Sequence, residues 1–196
     1  MYKLCKTEES CKRQREIEQV LMNLMIEKRY DDITVSEICH AASVPRKSFY
    51  RYFDGKDGAI QSLLRHTITD FHGFSFDFHT KDERTLQGEF EQFFLFWKEK
   101  RDFLKAFDNS QLIGLLVEYS SSYAISEFID MQKFLPDADD REKNYVFQFA
   151  ICGLMTLTIS WYRSGYAESV PDIARTAARL ISKPLFPSLD KLGIQT

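Results

Sequence analysis

Apolar residues recur at intervals of three and four along almost the whole of this 196-residue chain, which is the spacing of one face of an α-helix. The clearest stripe is Ile17, Val20, Leu21, Leu24 and Met25. Alternation with the period of a β-strand is confined to Phe74, Phe76 and Phe78. A lone strand there would have no partner, so we interpret that stretch as a frayed helix end or loop. The pattern predicts an all-α fold.

Composition narrows the class of protein further. With 44% hydrophobic and 28% charged residues, the chain can bury a core and stay in solution, which excludes disorder over its whole length. The N-terminal segment has no apolar run typical of a signal peptide. No apolar stretch approaches the roughly 20 residues of a membrane span. These observations predict a cytoplasmic protein that does not enter a membrane.

The four cysteines, Cys5, Cys11, Cys39 and Cys152, form no C-x-x-C pair. Cysteines without an ordered framework, in a chain without an export signal, are expected to be reduced thiols. They also lack the close and regular spacing of zinc ligands. The sequence therefore predicts four free thiols and neither a disulfide nor a zinc site.

The average charge of −3 conceals two unlike halves. Residues 1–66 contain 12 basic and 10 acidic side chains, a net charge of +2, whereas residues 67–196 contain 14 and 19, a net charge of −5. Six of the 28 aromatic residues lie in the first 66 positions and 22 in the rest. We therefore expect the two halves to have different surfaces and different functions.

The segment from residue 34 to residue 56, TVSEICHAASVPRKSFYRYFDGK, has the local signals of two short helices joined by a turn. Thr34 and Glu37 have the spacing of a capping box, in which each side chain accepts a hydrogen bond from the other residue's backbone amide. Pro45 suits the start of a second helix, because an N–H there would have no partner within the helix. Together they predict a helix-turn-helix, whose second helix fits the major groove of DNA.

The outer face of that second helix is basic. Arg46 and Lys47 lie in its first turn, where the helix dipole disfavours positive charge. The stability of the helix itself therefore does not account for them. Charges on a helix face commonly do no more than solvate it, and this segment alone leaves that interpretation open. The functional alternative is an anionic partner such as DNA.

The stretch from Arg13 to about Leu64 resembles the DNA-binding domain of the tetracycline-repressor (TetR) family of transcriptional regulators. The matching residues are Ile17 to Leu24, Tyr30, Thr34, Val35, Ile38, Ala41, Ala42, Val44, the run from Ser48 to Phe53, Lys56, Ala59 and Ile60. The resemblance implies an N-terminal three-helix helix-turn-helix domain over residues 1–66. The sequence departs from the family's pattern at Ser43, where glycine is usual in the turn, and at Tyr52, where histidine is common.

The resemblance also implies roles for individual residues. Side chains at the starts of the second and fourth helices would bind phosphate, and those on the recognition helix would face bases or backbone. The implied DNA contacts are Thr34, Ser36, Arg46, Lys47, Ser48, Tyr50, Arg51, Tyr52 and Lys56. Phe49 and Phe53 are expected to pack in the core.

For residues 67–196 the resemblance implies a helical domain that binds a small-molecule effector and forms a homodimer. The last two helices, expected over residues 141–164 and 169–181, would pack against their symmetry mates as a four-helix interface. The stretch CGLMTLTISWYRSGYAESVPDIA also loosely resembles regulators of dihydroxyacetone-kinase operons.

The 22 aromatic residues of this half favour an apolar or aromatic effector. The predicted ligand-binding residues are Phe94, Trp97, Phe107, Tyr119 and Tyr123. Any single aromatic residue at helical spacing is more often part of a core than of a pocket. The hypothesis therefore depends on the aromatic residues as a group.

Enzyme motifs are missing from the sequence. It has no Gly-rich phosphate loop or nucleophile elbow, and His66, His72 and His79 lack the spacing of metal ligands. We therefore predict no enzymatic activity, no metal site and no cofactor. The predicted function is a TetR-like regulator, a repressor that binds a double-stranded operator and responds to a small molecule, with activation left open. The alternative is a helical ligand-sensing or protein-partner module whose helix-turn-helix no longer binds DNA.

Overall fold

A computed structural model describes residues 2, 5, 7–77, 85–124 and 139–182, except for the side chains of 72–77 and 123–124. Within these ranges the regular structure is helical, apart from an isolated backbone pairing between Tyr2 and Phe53. The helices are α1 (Glu8–Glu27), a 3₁₀ turn (Tyr30–Asp32), α2 (Val35–Ala41), α3 (Arg46–Tyr52), α4 (Lys56–Asp77), α5 (Leu86–Glu99), α6 (Arg101–Asn109), α7 (Ile113–Ala124), α8 (Asp140–Arg163) and α9 (Val170–Ser182). The predicted all-α fold is confirmed.

Several helix ends carry a local chemical signal. Helix α1 ends at Glu27, and the amide of Lys28 after it still donates to the Leu24 carbonyl, while α4 begins at Lys56. Helix α9 follows Ser169, whose hydroxyl accepts from the Asp172 amide. Helix α4 continues to Asp77, so Phe74 and Phe76 are helical, and Phe78 lies outside the described residues.

The break between α5 and α6 has no counterpart in the sequence prediction. Neither glycine nor proline occurs there, and the chain turns at Lys100 with φ −85° and ψ 26°. Helix α6 then buries Phe103, Leu104 and Phe107 on one face. Its nine residues end at Asn109, and Ser110 and then Gln111, which has a positive φ of 58°, follow.

The chain divides into two compact units. The first unit comprises Met1–Gly73 with Lys100–Ile129, and the second comprises Phe74–Glu99 with Asp130–Thr196. Helix α1 packs on α6 and α2 in the first unit, and α5 packs on α9 in the second. Helices α6 and α7 thus belong to the unit that contains the helix-turn-helix. The division into functional domains at residue 66 stays a prediction.

The core of the first unit includes a hydrogen-bonded polar cluster between α1 and α4. The amide of Gln14 donates to Ser62 Oγ at 2.7 Å, and the Ser62 hydroxyl donates to Glu18 Oε1 at 2.6 Å. His66 Nδ1 lies 2.7 Å from the other oxygen of the Glu18 carboxylate. Glu18 is 2% exposed, and these hydrogen bonds satisfy its buried carboxyl oxygens. The cluster fixes α4 against α1.

The core of the second unit is aromatic. Phe94 of α5 meets Trp161 of α8 edge to face, with ring centroids 5.7 Å apart, a favourable geometry for two π-systems. The indole N–H of Trp161 donates to the Glu168 carbonyl at 3.0 Å. On α9, Ile173, Ala174 and Ala177 are buried, which allows α5 to approach closely.

Helix α8 has more apolar side chains than it buries in this core. Of the described helices it alone is long and apolar enough to cross a membrane, judged by length and composition, with a mean hydropathy of 1.3 over an 18-residue window that is 33% buried. Its excess apolar surface is concentrated at Tyr145, Val146 and Phe149, of which Phe149 is 69% exposed. Exposed apolar patches of this kind also mark protein interfaces.

One expectation about the cysteines is wrong. Cys5 and Cys11 form a disulfide across six residues, with their Cα atoms 5.1 Å apart. Cys39 and Cys152 are free, the former buried and the latter half-buried. The disulfide could not be predicted from the sequence, because a separation of six residues between two cysteines matches no recognised disulfide pattern. The position of Cys5 beside the start of α1 brings the two sulfurs together.

Candidate nucleic-acid interface

Helix α2 begins with half of the predicted capping box. The Thr34 hydroxyl accepts from the Glu37 amide at 3.2 Å. The Glu37 carboxylate forms an ion pair with Lys28 at the end of α1 instead of reaching back to Thr34. The hydrogen bond from Lys28 holds the pKa of the Glu37 carboxyl below its usual value. Glu37 therefore links the end of α1 to α2.

The turn between α2 and α3 depends on a left-handed residue. Ser43 has a φ of 52°, and the Val44 amide after it donates to the Cys39 carbonyl at 2.9 Å. Glycine adopts this conformation without the steric cost that a Cβ brings. The departure from the family's usual glycine thus preserves the turn and places some strain in it.

Helix α3 presents one face to the core and the other to solvent. Phe49 and Tyr52 are buried, whereas Arg46, Lys47 and Tyr50 are exposed. Pro45 precedes the helix and no side chain caps it, and its first turn contains no acidic residue. The exposed end of α3 therefore combines two cations with the positive end of a helix dipole.

Arg46 is held in place by its neighbours. Its guanidinium donates to Ser36 Oγ at 3.1 Å and to the Tyr50 hydroxyl at 3.3 Å, and its Cζ lies 5.9 Å from the centroid of the Tyr50 ring. The hydrogen bond to Tyr50 raises the pKa of Arg46 above its ordinary value. A permanently charged fork held by α2 and α3 is a ready donor for guanine O6 and N7.

Arg51 and Tyr52 interact with each other at the far end of α3. The Arg51 guanidinium donates to the Tyr52 hydroxyl at 3.2 Å and lies 5.1 Å from the centroid of that ring. Tyr52 is 5% exposed, so its ring packs in the core. Ser48 is half-buried, and Lys47 is exposed.

Lys56 is turned inward. Its ammonium donates to the carbonyls of Tyr30 at 2.6 Å and Ile33 at 2.9 Å, and it lies 4.2 Å from the centroid of the Tyr30 ring. These contacts join the start of α4 to the link between α1 and α2. Phosphate binding, the role implied by the resemblance, would compete with these contacts for the same ammonium.

Tyr30 completes that junction. Its hydroxyl donates to Asp57 Oδ1 at 2.6 Å, and its amide donates to the hydroxyl of Ser110, after α6, at 3.1 Å. Burial and the Asp57 carboxylate raise the pKa of the phenol, so it remains a neutral donor. The junction ties the helix-turn-helix to the end of α6.

The predicted ligand-binding residues are divided between the two units. Phe94 and Trp97 are buried in the aromatic core of the second unit, and Phe107 is buried in the first, stacked on Phe103 at 4.3 Å. Tyr119 is half-buried on α7. The side chain of Tyr123 lies outside the described residues. An effector site at these positions stays a prediction.

A cleft beside α3 was not predicted from the sequence. It has a volume of about 800 Å³, and Cys5 and Arg13 line it together with Pro45, Ser48 and Arg51. Arg13 lies on the polar face of α1, and a charged residue on such a face does not by itself indicate that it lines a cleft. The cleft thus lies between Cys5 with the start of α1 on one side and the recognition helix on the other.

These features define a helix-turn-helix protein of the DNA-binding class, and family comparisons agree. A model described as "Bacterial regulatory proteins, tetR family" matches residues 19–62. A second TetR model, described as "Transcriptional regulator C-terminal region", matches residues 84–183, about half of the chain. The chain belongs to the TetR family of transcriptional regulators.

Solved structures share the fold at low sequence identity. The fatty acid degradation regulator FadR from Bacillus halodurans has 13% identity and a TM-score of 0.61, over 91% of this chain and 96% of that one. The dihydroxyacetone kinase operon activator DhaS has 19% identity and a TM-score of 0.56, over 87% and 94%. A TetR-family regulator from Streptomyces coelicolor has 15% identity and a TM-score of 0.55, over 91% and 81%.

No curated protein matches the sequence significantly. The matched families and these three structures are nevertheless all those of transcriptional regulators. The protein is accordingly a transcriptional regulator and not an enzyme, as predicted.

Proposed function

We propose that the protein is a cytoplasmic homodimer that represses transcription by binding a near-palindromic operator through its two α3 helices. The observation that carries this proposal is the exposed basic end of α3, where Arg46 is held by Ser36 and Tyr50. A dimer places its two recognition helices about one turn of DNA apart, roughly 34–36 Å. Each helix then reads one half-site.

The proposed contacts fall into two groups. Arg46 and Lys47 face base edges, because they are exposed in the first turn of α3 and long enough to enter the major groove. Thr34, Ser36, Ser48, Tyr50 and Arg51 contact the adjoining backbone. We leave Tyr52 and Lys56 out of these contacts, because the first is buried and the second is held by two backbone carbonyls.

The proposed dimer interface is formed by α8 and α9. Exposed apolar side chains lie on both helices, at Tyr145 and Phe149 on α8 and at Leu180 and Ile181 on α9. Gly153 follows Phe149 by one helical turn, and nothing within 4 Å occupies the space of a Cβ there. A second copy of the same two helices would cover this surface with matching apolar side chains.

An apolar or aromatic small molecule is the proposed effector. The aromatic content of the second half supports this choice, and the similar structures include a regulator of fatty acid degradation. Binding would favour one arrangement of the dimer and so change the separation of the α3 helices. If the effector causes the protein to release the operator, transcription resumes and the protein acts as a repressor. The opposite outcome is activation of transcription, the role that the name of DhaS states for that protein.

The decisive experiment is capture of genomic DNA fragments by the purified protein at two salt concentrations. We expect enrichment of a short, near-palindromic fragment that survives moderate salt, since base contacts add to the salt-sensitive phosphate contacts. Lys105→Ala serves as the control, because Lys105 is exposed on α6, away from α3. Equal capture of all fragments, lost as salt rises, would contradict sequence-specific binding.

A further inference from the structure

The N-terminal segment is attached to the helix-turn-helix at residue 2. The backbone of Tyr2 pairs with Phe53, the residue that ends α3. Its hydroxyl accepts from Arg65 of α4 at 2.6 Å, and its ring lies 5.6 Å from the Arg65 guanidinium carbon. These contacts tie Tyr2 to α4 and to Phe53, the residue that follows the recognition helix.

The segment is attached a second time at residue 5. The Cys5–Cys11 disulfide joins it to the first turns of α1. Between the two cysteines, Thr7 and Ser10 form a reciprocal cap at the start of α1, with bonds of 3.2 Å and 3.1 Å. The disulfide therefore closes a small loop around a well-formed helix start.

The disulfide lies beside the recognition helix and within reach of small molecules. Cys5 lines the cleft of about 800 Å³ that Pro45, Ser48 and Arg51 line from the side of α3. Cys5 and Cys11 are both half-buried. Cys39, by contrast, is 4% exposed, and burial raises the pKa of its thiol. Cys5 and Cys11 are thus more accessible than Cys39, and Cys5 shares its cleft with the side chains of Arg13 and Arg51.

We propose that Cys5 and Cys11 form a reversible redox switch in which oxidation by a hydroperoxide fastens Cys5 to α1, favours the docking of Tyr2 against Phe53 and Arg65, and strengthens DNA binding. The reduced protein retains the contacts of Tyr2 but loses the covalent tether. Docking of Tyr2 then costs more conformational entropy. The end of α3 is accordingly less well held in the reduced form.

The chemistry of the switch balances with a hydroperoxide as the oxidant. One cysteine thiolate attacks a peroxide oxygen, the O–O bond breaks, and a sulfenic acid forms together with one water or alcohol after protonation. The second thiol attacks the sulfenic sulfur, forms the S–S bond and releases water. Two thiols lose two electrons and the peroxide gains them. Thiol–disulfide exchange with a small dithiol reverses the change.

The thiol chemistry is tested first, without DNA. The reduced chain is treated with hydrogen peroxide, unfolded and labelled with N-ethylmaleimide, and the labels are counted by intact mass. We expect four labels before oxidation and two after it, with four again after dithiothreitol. Cys152→Ser should still lose two labels, whereas Cys5→Ser, in which Cys11 has no partner thiol, should lose at most one, to a sulfenic acid at Cys11. Four labels on the oxidised wild type, or loss of two labels in Cys5→Ser, would overturn the proposal.

The mechanical part of the proposal has its own readout. The oxidised protein should melt about 5 °C higher than the reduced protein, and Tyr2→Ala should make that difference smaller, because the part that comes from the docking of Tyr2 is then lost. Equal melting temperatures of the two forms would overturn the tether. An undiminished difference in Tyr2→Ala would overturn the docking of Tyr2.

The effect on DNA rests on the proposed function. With the captured genomic fragment as probe, the oxidised protein should bind about three- to tenfold more tightly than the reduced protein, and Cys5→Ser should not respond to peroxide. Equal affinities would overturn the regulatory role. If no fragment is enriched, the function proposed above fails, while label counting and melting still decide the redox chemistry.

Discussion

Two surfaces of the molecule, the outer face of α3 and the outer face of α8, are poorly explained by the packing of the chain on itself. The first exposes Arg46 and Lys47 on a helix with no side-chain cap. The second exposes Tyr145 and Phe149, at 65% and 69%. Both are helix faces, but they differ completely in chemistry.

The difference indicates what kind of partner each face requires. Exposed cations are well hydrated and stay soluble without a partner, so they suit an encounter with DNA that is made and broken. Exposed aromatic rings gain free energy whenever they leave water, so they suit a lasting contact with a second copy. Under the proposed function, the face of α3 serves transient binding to DNA and the face of α8 serves lasting assembly with a second copy.

The strongest test of this contrast is Phe149→Lys. A lysine at the centre of an apolar interface loses its hydration without a partner, so we expect the dimer to dissociate at concentrations at least ~100-fold higher than for the wild type. Analytical ultracentrifugation measures the change. Gln61→Lys, an exposed position on α4, adds the same charge as a control. An unchanged dimer in Phe149→Lys would place the interface elsewhere.

Arg46→Ala tests the basic face. Loss of a bidentate contact to guanine costs about 1–3 kcal/mol, so we expect affinity for the captured fragment to fall by about 10- to 100-fold and discrimination against random DNA to fall with it. Fluorescence anisotropy on both duplexes measures the two effects. The same proportional loss on random DNA would show that Arg46 contacts phosphate instead.

Substitutions of Lys56 and Lys47 distinguish a lysine that stabilises the fold from a lysine that binds DNA. Lys56→Ala removes charged hydrogen bonds to the Tyr30 and Ile33 carbonyls, so the free energy of unfolding should fall by about 2 kcal/mol. Lys47→Ala should leave it unchanged and reduce the salt dependence of DNA binding by about one counterion. Urea denaturation and salt titrations measure these quantities. If Lys56→Ala has the same free energy of unfolding as the wild type, the internal role is wrong and phosphate binding by Lys56 is favoured.

The smallest expected effect is at the turn that positions α3. Ser43→Gly relieves the left-handed conformation at φ 52° and should stabilise the protein by up to about 1 kcal/mol, with little change in DNA affinity. Thermal unfolding and anisotropy measure the two. A destabilised Ser43→Gly would mean that the serine side chain contributes more than its backbone strain costs.

Local signals made much of the fold predictable. Thr34, Pro45 and Ser169 mark helix starts through chemistry that acts within one turn, and the stripe from Ile17 to Met25 needs only helical spacing. The break at Lys100 escaped prediction because no residue there has a turn preference. The candidate site was predictable to the same extent: Arg46 and Lys47 are exposed on α3, as a local pattern can indicate.

The sequence by itself determined that this protein is all-helical and has a helix-turn-helix with a basic outer face, because caps, periodicity and turn residues act between near neighbours. The tertiary structure alone decided that Lys56 turns inward, that Tyr52 is buried, that Cys5 meets Cys11 beside α3, and that α6 and α7 pack with the first unit. The physical reason is distance along the chain. Lys56 contacts a carbonyl 26 residues away and Tyr30 a hydroxyl 80 residues away, and such partners meet only when the whole unit has folded.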